Sequence, residues 1–173
     1  MNETIKCLTE RRTIRQYKKE QISDEQLDMI LRAGQYAPSG MGAQAAKMVV
    51  VQDKETIAQL SKMNATVMGK DIDPFHGAPT VIVVLADPER GTYIEDGSVV
   101  IANLMNAAHS VGVGSCWVHR ARQVFSSEEG KKLLEKWGID RKYEGIGHCV
   151  LGYVDGDYPE AKPRKEDYVT YIR

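Results

Sequence analysis

One segment limits what this chain can fold into, because residues 96–110 have helical spacing and are apolar on almost every side. Val99, Ile101, Leu104 and Met105 occupy positions around the whole circumference of such a helix. A helix on the surface of a globular protein normally keeps one broad polar face, and this one does not. It therefore belongs either in a protein core or in a large subunit interface, and the sequence leaves both placements open.

Apolar runs also locate the strands. Residues 80–86, with the sequence TVIVVLA, are apolar at successive positions, so we expect both faces of this strand to be covered and the strand to lie centrally in its sheet. Shorter runs at 48–51, 115–118 and 149–151 predict three further strands. Helical patterns lie between them, and 173 residues suffice for one sizeable core, so we predict a single domain over residues 1–173.

Two helix starts carry capping signals. Ser23 and Gln26 have the spacing of a capping box, and the helix that follows should end near Tyr36, because a proline lies two residues further on. Ser126 with Glu129 should start a second, charged helix in the same way.

The composition excludes several classes of protein. Hydrophobic residues make up 42% of the chain, which is too much for a disordered protein. The net charge of -1 lacks the basic excess that a general nucleic-acid binder needs. No apolar run reaches the roughly 18 residues of a membrane span, and the first residues lack the apolar core of a signal peptide. We therefore expect a cytoplasmic protein with neither a nucleic acid nor a membrane as its partner.

The cysteines and histidines form no metal or redox motif. Cys7, Cys116 and Cys149 are far apart, as is typical of free thiols in a reducing cytosol. The four histidines lack the spacing of metal ligands, so no metal site is predicted. His119 follows a predicted strand and is the best candidate among them for a place in a functional site.

A cationic cluster follows the first helix. Arg11, Arg12, Thr13 and Arg15 lie in a stretch that has no carboxylate before residue 19. Guanidinium groups and a hydroxyl suit phosphate oxygens, so this cluster is a candidate phosphate site. It could equally be a solvated helix end whose charge complements the helix dipole.

The tail from residue 155 differs from the rest of the chain. It is rich in charge and proline, contains Lys162 and Arg164, and ends in the strand-forming sequence YVTYI. Lys162 and Arg164 are either solvated surface charges or bind a phosphate together with the first cationic cluster. Because the tail is polar in its middle and apolar at its end, we expect residues 155–173 to reach a partner subunit.

The segment 37–44 is the third candidate. Its two glycines allow a close approach of the backbone to a ligand, and Ser39 and Gln44 supply donors and acceptors, although a plain helix-to-strand loop explains them as well. Asn64, which is polar on an apolar helix face, lies either at a boundary or in a cleft. No Ser-His-Asp arrangement or activated cysteine stands out, which suggests that a cofactor carries the chemistry.

Taken in this order, the motifs resemble those of the FMN-dependent nitroreductase family, and in particular its short, compact members. The similarity extends over nearly the whole chain. Its strongest parts are RRTIR at 11–15, APS at 37–39 with Gln44, Asp96 with the apolar helix and the GVGSCW sequence at 112–117, and KPR at 162–164.

This resemblance implies an α+β fold in which helices flank a mostly antiparallel sheet. It implies a homodimer with two FMN sites at the subunit interface. The apolar helix would then be the dimer helix, and the tail would wrap around the partner and extend its sheet.

The resemblance also implies which residues bind FMN. The flavin phosphate would be held by the polar side chains of both cationic clusters, namely Arg11, Arg12, Thr13, Lys162 and Arg164. Arg15 would lie near the N1 and C2 carbonyl edge, where a positive charge stabilises the anionic reduced flavin. Asn64 would reach the pyrimidine edge.

The flavin ring would be contacted from several sides. Pro38, Ser39 and Gly40 would come from the other subunit, and Gln44 would approach the ring or the ribityl chain. The backbone at His119 and Arg120 would face N5 and O4, and Trp117 would lie against the ring. Phe75 and His76 would be lid or substrate-pocket residues.

The implied activity is that of an oxidoreductase. NADH or NADPH would reduce the flavin and leave, and a nitroaromatic, quinone or similar acceptor would then be reduced, in a ping-pong mechanism. Two alternatives remain open. One keeps the fold but changes the chemistry to reductive dehalogenation or flavin modification, and the other is a dimer that binds or senses flavin without turnover.

Overall fold

The strand with the longest apolar run lies inside the sheet. The computed structural model describes residues 1–173, in which β2 (Thr80–Ala86) pairs antiparallel with β1 (Ala46–Val51) and with β4 (Glu144–Gly152). β3 (Gly114–Val118) pairs antiparallel with β4, which gives the order β1-β2-β4-β3. All seven residues of β2 are buried, which confirms the predicted central strand.

Six helices flank this sheet. They are α1 (Glu3–Glu10), α2 (Asp24–Gln35), α3 (Lys54–Met68), α4 (Tyr93–Ser110), α5 (Ala121–Ser126) and α6 (Glu128–Lys136). Short 3-10 turns occur at Gly40–Gly42 and Glu166–Tyr168. None of the helices combines the length and the apolar character that crossing a bilayer requires.

The sheet has a hydrophobic cluster on each face. Val81, Val83 and Leu85 pack with residues of α3, α5 and α6, whereas Ile82 and Val84 pack with residues of α2 and α4. This division follows from the alternation of side chains along a strand. The result is a helix-sheet-helix arrangement, and the predicted α+β class with an antiparallel sheet is confirmed.

The apolar helix α4 has both a covered and an open face. Ile101 and Leu104 are 0% exposed and pack on the sheet. On other sides of the same helix Ile94 is 40% exposed and Ala102 is exposed. The rest of the chain thus covers only part of the apolar surface of α4.

The helix caps agree with the sequence in one case and differ in the other. The capping box at Ser23 is confirmed, since its hydroxyl and the Gln26 side chain make both expected bonds. The second predicted cap was placed one residue too early, because Ser126 is the last residue of α5. An N-cap residue needs an extended backbone, and Ser127 has it and accepts the Gly130 N–H at 3.0 Å.

The end of the tail forms no strand within one chain. Residues 155–173 are exposed throughout, with Tyr171 at 71% and Ile172 at 93%. A strand needs the edge of another strand as its partner, and none of this chain's strands pairs with residues 168–172.

Candidate functional site

Backbone strain is concentrated in the segments that the sequence singled out. Met41, Gln44, His76 and Arg120 are the four non-glycine residues with a left-handed φ, between 50° and 74°. All four lie in predicted site segments. A side chain in this region costs on the order of 1 kcal/mol or more, and such conformations cluster at ligand-binding sites.

The loop after α1 is fixed to the start of β3. The N–H of Ile14 donates to the carbonyl of Ser115 at 2.9 Å, and Thr13 forms a parallel bridge with the same residue. The Ile14 side chain is 2% exposed and anchors the loop in the core. This attachment holds Arg11, Thr13 and Arg15 at one end of the sheet.

The arginines of this loop have no carboxylate partner. None of the five ion pairs in the structure includes Arg11, Arg12 or Arg15. Burial raises the pKa of the Cys116 thiol, and the charges of Arg15 and Arg11 are near enough to oppose that rise. The Nη1 atom of Arg11 is buried without a hydrogen-bond partner. A buried, unpaired guanidinium N–H is costly, so this site fits an anionic group such as a phosphate.

Arg12 has a different environment from its neighbours. Its Nη1 atom donates to the carbonyls of Thr9 and Arg11, both at 2.8 Å, and so caps the end of α1. Its backbone N–H donates to the hydroxyl of Tyr158 at 3.0 Å. The carbonyls left free at a helix C-terminus attract such a cation, which explains why this guanidinium turns back on the helix.

The structure does not bring the second cationic cluster to the first. Lys162 and Arg164 are exposed and make no hydrogen bond or ion pair within the chain. The tail is nevertheless attached close to the first cluster, because Tyr158 contacts Arg12. The two clusters are therefore linked at the base of the tail, and Lys162 and Arg164 extend beyond that point.

The turn after β3 is held from inside the protein. Asn64, in the middle of α3, is 0% exposed, and its Nδ2 atom donates to the carbonyl of His119 at 2.7 Å. One N–H of this amide is therefore engaged within the chain, and Oδ1 is buried and unpartnered. That the side chain reaches a ligand edge stays a prediction. Trp117 is half-buried, and its Nε1 also lacks a partner.

Of the two predicted lid or substrate-pocket residues, only His76 has an accessible side chain. Phe75 is 1% exposed and packs on His148 with ring centroids 5.1 Å apart, so the prediction of a lid is wrong for this side chain, which belongs to the core. Burial lowers the pKa of His76, the charge of Arg15 lowers it further, and Asp73 opposes both. The charge of Arg15 thus acts on His76 although 61 positions separate the two residues.

The 37–44 segment is held in place by an acidic residue. The N–H of Gly40 donates to Asp96 Oδ1 at 2.8 Å, and Ser39 Oγ accepts the N–H of Gln44 at 3.0 Å. Asp96 is 4% exposed at the start of α4. Pro38, Ser39 and Gln44 together line a small cavity of about 140 Å³ beside this carboxylate.

The two halves of the predicted site lie at opposite ends of α4. Gly40 is attached to Asp96 in the first turn, whereas the charges of Arg11 and Arg12 act on His109 in the last turn, where burial lowers the pKa of that imidazole. At a rise of about 1.5 Å per residue, these two ends are roughly 20 Å apart. A single chain therefore does not bring the 37–44 segment to the cationic loop.

Sequence reasoning missed two residues of this region. Ser115 is 1% exposed beside Thr13, and its hydroxyl oxygen has no partner. Its only signal in the sequence is a polar residue at the start of an apolar strand. Nothing in the sequence indicated the role of Tyr158, because 146 positions separate this residue from Arg12, which it contacts.

Comparison with known proteins relates this geometry to one family. Residues 8–153 match the model of the Nitroreductase family. A protein of Archaeoglobus fulgidus that is named for NADH dehydrogenase or NAD(P)H nitroreductase activity is 34% identical over 172 residues, which cover 95% of this chain and 94% of that protein.

Two solved structures have the same fold over the full length. A nitroreductase with bound FMN from Bacteroides fragilis superimposes with a TM-score of 0.92 at 26% identity. A nitroreductase with bound FMN from Desulfitobacterium hafniense does so with a TM-score of 0.89 at 29% identity. In both cases 100% of each chain is covered.

Proposed function

Because this chain belongs to the nitroreductase family, we propose that it is an NAD(P)H-dependent flavin oxidoreductase with FMN as its cofactor. Its acceptors are nitroaromatics, quinones or similar electrophiles, which it reduces in a ping-pong mechanism. The active form is a homodimer.

The observation that carries the proposal is the unpaired cationic loop. Arg11 has a buried N–H group without a partner, and no ion pair neutralises Arg11 or Arg15. A terminal phosphate supplies the oxygens that such donors need, and the hydroxyls of Thr13 and Ser115 add two more donors. Lys162 and Arg164 would close on the same phosphate from the tail.

The separation of the two half-sites supports the dimer. If two copies pair along α4 in antiparallel orientation, the first turn of one helix meets the last turn of the other. The loop carrying Pro38, Ser39 and Gly40 would then face the cationic loop of the second protomer. The apolar side chains that α4 leaves exposed, such as Ile94, would be covered by the same pairing.

When bound, FMN supplies the redox chemistry of the enzyme by taking up a hydride from NADH or NADPH and giving electrons to the acceptor. The protein contributes binding and electrostatics. Arg15 would stabilise the negative charge that develops on reduction, and the backbone at His119 and Arg120 would provide polar contacts to the ring.

The remaining site residues define the space around the ring. Trp117 and Gln44 would contact it, and His76 would stand at the mouth of the substrate pocket beside Arg15. No side chain has to exchange a proton for this chemistry, so we assign no catalytic acid or base.

The cofactor is tested by visible absorption of the gently purified protein, before and after anaerobic addition of NADH and then NADPH. We expect flavin bands that bleach with at least one of the two. A protein that contains no flavin and takes up no added FMN would refute the proposal. Bands that resist both nicotinamides would point to a flavin protein without this reductase activity.

The mechanism is tested by steady-state oxidation of the preferred nicotinamide with a quinone or a nitroaromatic. A ping-pong mechanism predicts parallel lines in double-reciprocal plots at several acceptor concentrations. Intersecting lines would show that both substrates bind before either product leaves. If the flavin bleaches but neither acceptor is reduced, only the proposed class of acceptor is wrong.

A further inference from the structure

We propose that Asn64 is a positioning residue, which acts on the cofactor through the peptide between His119 and Arg120 and does not touch it with its own amide nitrogen. This inference rests on the proposed function, because it assumes that bound FMN faces this turn. It assigns to Asn64 the orientation of one backbone N–H group.

The hydrogen bond made by Asn64 is short, and the residue that donates it is completely buried. Its Nδ2 atom donates to the His119 carbonyl at 2.7 Å, and the residue is 0% exposed. A buried amide that lost this acceptor would be left with an unsatisfied donor, so the bond strongly favours one orientation of the carbonyl. The His119 carbonyl must therefore point inward, towards α3.

The geometry of the peptide group transmits this constraint. The atoms of a peptide unit lie in one plane, and in the trans form the carbonyl oxygen and the amide hydrogen point in opposite directions. Since the His119 carbonyl points inward, the N–H of Arg120 points away from α3. This N–H donates to no other group of the chain, so it is a free donor on the side where the cofactor is proposed to lie.

The backbone conformation of the turn shows that it needs support. Arg120 has a φ of 74°, which is unfavourable for a residue with a side chain. The Arg120 carbonyl begins α5 by accepting the N–H of Val124 at 3.0 Å, so the turn is held on one side by this helix and on the other by Asn64. Without the Asn64 bond, the His119–Arg120 peptide could rotate towards a less strained conformation and lose the orientation of its N–H.

Two variants and one control test this role. Asn64→Leu removes the donor at similar volume, and Asn64→Asp exchanges it for an oxygen that repels the carbonyl. Met63→Leu is the control, because Met63 is a buried neighbour on the same helix and takes no part in the hydrogen bond to His119. We expect both Asn64 variants to bind FMN about tenfold more weakly and to shift its visible bands and midpoint potential, whereas Met63→Leu should match the wild type.

A measurement on the unmodified protein keeps the test independent of folding defects. In ¹⁵N-labelled wild type, the backbone amide resonance of Arg120 should move strongly when FMN is added. Wild type that binds FMN while this resonance stays in place would overturn the role of Asn64, as would folded Asn64 variants with unchanged affinity, spectrum and potential. Wild type that takes up no FMN would instead refute the proposed function itself.

Discussion

The hydroxyl oxygen of Tyr158 lies 3.0 Å from the backbone nitrogen of Arg12 and 3.1 Å from Nδ1 of His109. One side chain at the base of the tail thus joins the end of α1 to the last turn of α4. Lys162 follows four residues later, and four extended residues span about 14 Å at most. The Tyr158 contact consequently limits how far from the cationic loop Lys162 can lie.

Tyr158→Phe should weaken FMN binding about threefold to tenfold, because the phenyl ring can still pack on His109 while both hydrogen bonds are lost. The dissociation constant is measured by fluorescence titration of the apoprotein. Tyr171→Phe, at an exposed tail position, is the matched control and should bind as the wild type does. Equal affinity in all three proteins would contradict an anchoring role for Tyr158.

Arg11→Ala should reduce FMN affinity by roughly 10- to 100-fold, since a charge-assisted hydrogen bond to the phosphate contributes about 1.5–3 kcal/mol. The same titration measures the effect. Lys132→Ala removes one positive charge from an exposed position on α6 and should have little influence. If the double variant of Arg11 and Arg164 retains full flavin occupancy, the phosphate assignment is wrong.

Asp96→Ala should lower the free energy of unfolding by about 1–3 kcal/mol, because the Gly40 N–H and the Thr92 hydroxyl lose a buried carboxylate acceptor. Urea denaturation checks this value. Glu95→Ala changes the adjacent but exposed carboxylate and should leave the midpoint almost unaltered. Similar losses in the two variants would mean that Asp96 does not hold the 37–44 segment.

Stability should fall as the pH decreases from about 6.5 to 4, in part because of His148. Complete burial lowers the pKa of this imidazole to about 4 from its ordinary value of 6.5, so in this window the unfolded chain binds a proton that the folded protein does not. The free energy of unfolding should therefore fall by an amount on the order of 3 kcal/mol. His148→Phe should remove most of it, as judged by urea denaturation at pH 7 and pH 4. The same pH dependence in both proteins would contradict this assignment.

Truncation after Arg164 should weaken the proposed homodimer, because it removes exposed apolar side chains that we expect the partner to cover, among them Tyr168 and Ile172. Sedimentation velocity over a range of protein concentrations measures the change. We expect the truncated protein to dissociate at concentrations where the full chain remains dimeric. An unchanged dissociation constant would show that this end of the tail has no part in the interface.

The sequence alone determined those features of the fold that depend on neighbouring residues. The six consecutive apolar residues of β2, Val81 to Ala86, required a covered central strand, and the Ser23 capping box set the start of α2. Both follow from interactions within a few positions of the chain, where side-chain spacing and backbone preferences act directly. The motifs that resemble the nitroreductase family likewise predicted the residues of the candidate site without knowledge of their contacts.

Only the tertiary structure decided which of these residues meet. It turned the amide of Asn64 to the carbonyl of His119 and buried Phe75 in the core. It also placed Gly40 and Arg12 at opposite ends of α4. These relationships join residues far apart in the chain, and they depend on how helices and strands pack against one another. Local preferences do not encode such packing, because it arises from the burial of apolar surface contributed by the whole chain.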